Sequence, residues 1–204
     1  MRDVLRAASA QRMSLPEYEA DFYATVETVD GTILKTERLQ TFREPGSPSW
    51  EAFAAGRWDE ALRIAAQPNP ELVQFFARLD TLGSGLHRLR IVELPLTPYL
   101  IWELNFLRFR AEAGERIRVL DAGAVSETER AHGRIPELMV AGSRAVYDVR
   151  YDETGLPVGA EKAVEPRVVE GCRSRILALL DEAEPFESFF YREVDGRTPS
   201  TSHL

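Results

Sequence analysis

Apolar residues recur along this chain with two spacings, and each change of spacing marks an expected change of element. Leu15, Tyr18, Phe22 and Val26 fall at helical intervals behind Ser14, with Glu17 three residues on. That is a capping box, and it predicts a helix over 15–29. Five X-Pro pairs mark further helix starts: Ser47-Pro48, Asn69-Pro70, Thr97-Pro98, Glu165-Pro166 and Glu184-Pro185. Proline costs nothing at the first helical position, because that amide has no intrahelical acceptor. Helices are therefore expected at 48–55, 57–66, 70–82, 97–113, 166–183 and 185–192. Period-two alternation predicts strands at 86–94, 116–122, 137–142, 144–151 and 156–163, the last two joined by the turn Asp152-Glu153-Thr154-Gly155. Residues 32–43 read as a short strand or extended connection, 121–136 as a long polar loop, and 193–204 as a flexible tail.

This order predicts an α+β fold: a mixed sheet of about five strands with one βαβ unit and a C-terminal hairpin, flanked by helices. Residues 1–85 form a helical N-terminal part of the same domain, and 86–192 the α+β core. Strand, helix and strand over 86–122 make a right-handed βαβ unit, so its two strands are expected side by side and parallel.

The helix over 97–113 raises the first chemical question. At roughly 100° per residue, Asn105, Arg108 and Glu112 share its wet side. Glu103 and Arg110 lie seven residues apart, nearly superposed within the apolar arc. Buried charge must be paired. Either these residues form a structural ion pair that fixes the helix, or Glu103 is a recessed carboxylate serving as acid or base. Arg88 and Arg90 share one strand face, as do Arg116 and Arg118. With the helix on the apolar face, all four arginines would line the other. They would hold a phosphate, a carboxylate or an acidic partner, or else pair with Glu93, Glu115, Asp121 or Asp148. Tyr99, Trp102, Phe106 and Phe109, with Phe186, Phe189, Phe190 and Tyr191, read as core, and Tyr99 and Trp102 alternatively as partner contacts.

Composition narrows the field. Hydrophobic residues make up 44 % of the 204, and the formal net charge is −8, so direct nucleic-acid or anionic-membrane binding is not the expectation. Nearly all basic residues are arginine, with lysine only at 35 and 162. No apolar run reaches the length of a membrane span. The first residues lack a secretory core, which gives a cytoplasmic expectation. Cys172 falls on the apolar side of its helix and reads as packing. His87, His132 and His203 have no metal-ligand spacing, and no phosphate loop, dinucleotide fingerprint or nucleophile elbow occurs. No metal or cofactor is expected.

Several segments together carry a likeness: LKTERLQTFREPG (34–46), HRLRIVELPLTPYLIWEL (87–104), AGERIRVLD (113–121), VYDVRYDETGLPVGAE (146–161) and CRSRILALLDEAEPFESFF (172–190). In that order they resemble a family of small actinobacterial proteins known as domain of unknown function number six-eight-seven-nine. The resemblance implies a bacterial protein of regulatory or accessory role, encoded near helix-turn-helix regulators, and offers such a regulator as the protein partner. It assigns no chemistry to the recurrent positions Arg88, Arg90, Pro95, Tyr99, Glu103, Gly114, Glu115, Arg118, Tyr151, Asp152, Gly155 and Gly159. The expected function is a non-enzymatic binding or regulatory module acting through a protein partner. The alternative is an anionic-ligand binder or enzyme built on Glu103 and the arginines.

Overall fold

The structure is a computed structural model describing residues 1–6 and 8–199. Its strands are β1 Gln11–Ser14, β2 Ile33–Glu37, β3 Leu86–Val92, β4 Arg116–Asp121, β5 Leu138–Ala141, β6 Ala145–Tyr151, β7 Pro157–Ala163 and β8 Glu184–Pro185. They form one mixed sheet of eight strands, not about five, in the order β1-β7-β6-β5-β2-β3-β4-β8. The helices are α1 Arg2–Arg6, α2 Leu15–Val26, α3 Pro48–Ala54, α4 Trp58–Ala65, α5 Pro70–Thr81, α6 Pro98–Glu112, α7 Ser126–His132, α8 Pro166–Glu182 and α9 Phe186–Glu193.

Most expected elements form where their caps place them. The Glu17 carboxylate accepts from both the amide and the hydroxyl of Ser14 at the start of α2. Asn69 Oδ1 and Thr97 Oγ1 each accept the third amide of the following helix, at 3.0 and 3.1 Å. The segment β3–α6–β4 is the expected βαβ unit, with its strands paired in parallel. A second crossover was not foreseen: β2 also pairs in parallel with β3, and antiparallel with β5 on its other side. The segment read as a short strand or connection therefore sits in the middle of the sheet.

One strand was not foreseen, and two expectations need correction. β1 is polar, QRMS, and carries no alternation. It is held at the sheet edge by backbone pairing with β7, where Met13 lies opposite Ala160 and Ser14 opposite Gly159. Gly159 has φ +142°, and a Cβ there would come within 2.1 Å of the Met13 carbonyl, so only glycine lets this edge close. Glu184-Pro185 does not start the last helix. Ala183 leaves α8 extended, the pair becomes β8 against β4, and α9 begins at Phe186. The long polar connection 121–136 is substantially helical, a 3₁₀ turn over Ala122–Val125 followed by α7. Asp121 Oδ1 accepts from the Gly123 amide at 2.7 Å, and Glu129 accepts from the Ile135 amide and the Arg38 side chain. Of the expected tail, 200–204 and with them His203 lie outside the described residues.

The two faces of the sheet are covered differently. One is packed by α8 and α1. Leu34, Leu89, Ile91, Val140 and Val146 meet Val169, Cys172 and Ile176 in a continuous apolar layer. On the other face α2 and α5 cover Ile33, Leu86, Met139, Ala145, Tyr147 and Val149, while α6 and α9 cover Val92, Ile117 and Val119. Between these two covers, above β2 and the middle of β3, the strands present Lys35, Glu37, Arg88 and Arg90. Cys172 is fully buried, as expected, and burial pushes its thiol up to about 11.

Candidate functional site

The parallel register decides where the arginines go. Arg88 lies beside Ile117 and Arg90 beside Val119, whereas Arg116 lies beside His87 and Arg118 beside Leu89. Neighbouring residues in register share a face, so Arg88 and Arg90 point to the α6 side and Arg116 and Arg118 to the α8 side. The expected four-arginine face does not form. Nor does α6 cover the apolar side of β3; it lies over the arginines. Arg88 is 5 % exposed and Arg90 0 %. Arg118 donates to the Ala183 carbonyl, and the exposed Arg116 lies 3.2 Å from His87 Nε2. Burial and the charges of Arg116 and Arg173 hold the His87 imidazole below its ordinary value.

Arg88 and Arg90 are neutralised from three elements. Arg88 Nη1 donates to Glu37 Oε2 on β2 at 2.5 Å, and its Nε to Glu115 Oε1, just before β4, at 2.6 Å. Lys35 meets the other oxygen of Glu37 at 2.6 Å, and Arg110 the other oxygen of Glu115 at 2.5 Å. Lys35, Glu37, Arg88, Glu115 and Arg110 thus make one chain of alternating charge. Arg90 Nε donates to Glu103 Oε2 at 2.7 Å, and its guanidinium lies 5.6 Å from the centroid of Phe42. Glu103 and Arg110 do not pair with each other; each finds its partner on a neighbouring element. Burial would raise the Glu37 carboxyl, but Arg88, Lys35 and Arg90 hold it well below the usual range. Glu115 is likewise held down against burial by Arg88 and Arg110.

Glu103 is different. Burial pushes its carboxyl up to about 7 against the attraction of Arg90, with Glu37 and Glu44 adding repulsion. Its Oε1 lies 3.3 Å from the Tyr99 hydroxyl, which also lies 2.5 Å from Glu44 Oε1. Burial raises Glu44 as well, and raises Tyr99 far above the usual phenol. Tyr99 and Trp102 are buried as α6 core, with Trp102 stacked between Phe53 and Phe106 and its Nε1 donating to Ser49 Oγ at 3.0 Å.

Lys35, Glu37, Glu44, Arg88, Glu103 and Arg110 of this network line a cleft of about 690 Å³ between α2 and α6. Its walls are Tyr23 of α2, Phe42, Arg43 and Pro45 after β2, Phe106 and Leu107 of α6, and Tyr151, Leu156 and Pro157 of the β6–β7 hairpin. Gly155 seats that hairpin: it has φ +83°, a Cβ there would lie 2.9 Å from the Thr41 carbonyl, and its own carbonyl accepts from the Arg43 amide at 2.9 Å. The volume lies within the range of small-ligand sites. A second cleft of about 770 Å³, between Ser47–Pro48, Ala65–Val73 and the far end of α6, is larger but gathers no comparable set of charges. Convergent polar groups favour the first. Sequence reading found Glu103, Arg88, Arg90, Arg110 and Tyr99; it missed Glu37 and Glu44, and placed Glu115 only as a bystander acid. The alternation Lys35-Thr36-Glu37 was the available signal.

Among the described residues no set of three His, Cys, Asp or Glu side chains is placed to hold a metal ion, and no helix is long and apolar enough to cross a membrane. Comparison with curated proteins finds no match. Among solved structures the chain is similar to TrmBL2, an archaeal chromatin protein described as showing a novel mode of DNA binding. The TM-score is 0.48 at 11 % identity, over 86 % of this chain and 52 % of that one, so this chain spans about half its length. The model of the family described as domain of unknown function DUF6879 matches residues 20–191, and the chain belongs to that family.

Proposed function

We propose that the chain is a non-catalytic binding module of accessory or regulatory kind, engaging its partner through the cleft between α2 and α6. The observation that carries this reading is the convergence of buried charge on that cleft. Replacing a buried ion network by apolar side chains is often neutral or stabilising, so stability alone gives weak reason for Glu37, Arg88 and Glu103 to occupy this floor. A recognition site gives a stronger one. The exposed aromatic and charged residues of its mouth, Tyr23, Glu19 and Arg43, suit a partner protein inserting a segment, and the family likeness offers a helix-turn-helix regulator for that role.

Affinity capture of the tagged full chain from its native host, with proteins and small molecules both identified by mass spectrometry, tests the reading. A Glu44→Lys variant puts the opposite charge in the cleft; Arg116→Glu alters the surface elsewhere. A partner lost with Glu44→Lys and kept with Arg116→Glu supports the proposal. A partner lost only with Arg116→Glu, or none that depends on the cleft, overturns it.

A second reading rests on one further observation: Glu103 lines a cleft beside Arg88 and Arg110 with its carboxyl near 7, in the range a general acid or base requires. It predicts turnover that follows a single ionisation and vanishes in Glu103→Gln.

A further inference from the structure

On the α6 face of the sheet every arginine is matched by a carboxylate: Arg88 and Arg110 by Glu115, and Arg90 by Glu103. On the α8 face the balance is different. Arg116 and Arg118 of β4 reach no carboxylate among the described residues. Arg118 gives two donors to the Ala183 carbonyl, and the exposed Arg116 lies against the imidazole of His87 on β3. A further cation comes from α8, where the charge of Arg173 acts on the same imidazole. Its ion pair is a loose one, 4.0 Å from Arg173 Nε to a Glu170 side chain that is 65 % exposed and already accepts from Ser174. Arg173 Nη1 is buried and has no hydrogen-bond partner. Three elements thus bring His87, Arg116 and Arg173 together in a chain of net charge −8, with one distant acid between them. Arginine donates and never accepts. His87 Nε2 therefore accepts from Arg116 at 3.2 Å, and the ring is neutral with its proton on Nδ1. A proton on Nε2 would set three positive groups against one another, a cost that an anion among them removes.

We propose that His87, Arg116 and Arg173 form a second site, separate from the cleft, for one dianionic oxyanion: inorganic phosphate or the phosphate group of a small monoester. Arg116 and Arg173 supply the planar forks of N–H donors that match phosphate oxygens, Arg173 with a donor that has no other acceptor. His87 joins them by taking a proton from solvent. Its Nε2 then stops accepting from Arg116 and donates to the anion. The groups facing the imidazole are Arg116 from β4 and Arg173 from α8, with Glu170 behind Arg173. Both arginines stay charged throughout, so the anion and the proton assist each other, and the anion binds more tightly as pH falls through the ionisation of His87. Three side chains meeting at one imidazole hold one anion. The acidic remainder of the chain repels a long polyanion, so a single phosphate fits this patch and a nucleic-acid backbone does not.

NMR titration of the full chain with sodium sulfate, at an ionic strength held constant with chloride, tests the site. Sulfate keeps both charges throughout, so only the protein titrates. The His87 ring signals, assigned with His87→Gln, should move to saturation, and their titration midpoint should rise by about one pH unit with sulfate bound. The signals of His132 on α7 should stay where they are. Sulfate affinity should rise about tenfold between about pH 8 and about pH 5, and should fall about tenfold or more in Arg116→Ala and in Arg173→Ala. Inorganic phosphate and phenyl phosphate then separate the sources. Phenyl phosphate binding at least as tightly as phosphate assigns the site to a monoester; phosphate alone assigns it to the free ion. Signals of His87 and His132 that move alike, without saturation, would mean an adventitious ion only and overturn the site. So would the absence of any sulfate or phosphate binding, an affinity unchanged in folded Arg116→Ala and Arg173→Ala, or an oligothymidine that occupies the patch more tightly than phosphate.

Discussion

The same strands, β2 and β3, carry opposite solutions on their two faces. Toward α8, Leu34, Leu89 and Ile91 pack into an apolar layer with Cys172 and Ile176. Toward α6, Glu37, Arg88 and Arg90 are buried with Glu103 and Glu115, and the partly exposed Lys35 meets Glu37. Burial is as deep on the charged side: Arg90 is as inaccessible as Leu89. What differs is tolerance. An apolar layer loses contact area in proportion to what is removed, whereas a charge network fails when one member leaves its partners buried and uncompensated.

The widest gap between the faces should appear on truncating Arg88. Arg88→Ala strips Glu37 and Glu115 of their shared cation and should cost about 3–5 kcal/mol in urea unfolding. Joint replacement by Glu37→Leu, Arg88→Met and Glu115→Leu should recover most of that loss. A triple variant as unstable as Arg88→Ala would mean that the network is there for stability and would break the contrast. Leu89→Ala on the opposite face should cost about 3 kcal/mol, by the cavity it leaves, and by the same amount at any pH.

A pH series sharpens the contrast. Glu103 is raised from 4.5 to about 7 in the folded protein. Below pH 4.5 it is protonated whether folded or not and costs nothing. Between 4.5 and about 7 the unfolded chain ionises it freely while the folded chain resists, so stability falls with rising pH and levels off above. Glu37 and Glu115, held below their ordinary values, work in the other sense: their contribution is present above 4.5 and lost as pH falls through the lowered values. Glu103→Gln should therefore gain stability relative to the parent as pH rises from about 4.5 to 7. A flat difference in thermal midpoint over that window would refute the assignment. The smallest effect belongs to Arg116→Ala, an exposed side chain of β4, which should stay within about 0.5 kcal/mol of the parent at every pH.

Most helix starts were legible because each is a local event: Pro48, Pro70, Pro98 and Pro166 each sit where a helix begins, the first three behind a capping Ser47, Asn69 or Thr97. The strands with apolar alternation were legible for the same reason. β1 and β8 were not, since backbone pairing to a distant strand is all that makes QRMS and Glu184-Pro185 extended. The site was half legible. Periodicity showed that Glu103 and Arg110 needed partners and that Arg88 and Arg90 share a face. It could not give the register of β3 on β4, and a shift of one residue sends Arg116 and Arg118 to the other side. Alternating arginines on a strand also look the same whether water or a helix covers them. The cover is decided by Glu37, Glu103 and Glu115 arriving from three places in the chain.

The position of β2 has a consequence for synthesis. The strand is made early, yet its two neighbours, β3 and β5, are completed only at Val92 and Ala141. On the ribosome one edge of β2 waits until Val92 is made, and the other until Ala141. Contacts so distant in sequence make for slow folding and long exposure of unpaired edges. Charged side chains on an unpaired strand discourage edge-to-edge pairing, and β2 carries Lys35 and Glu37.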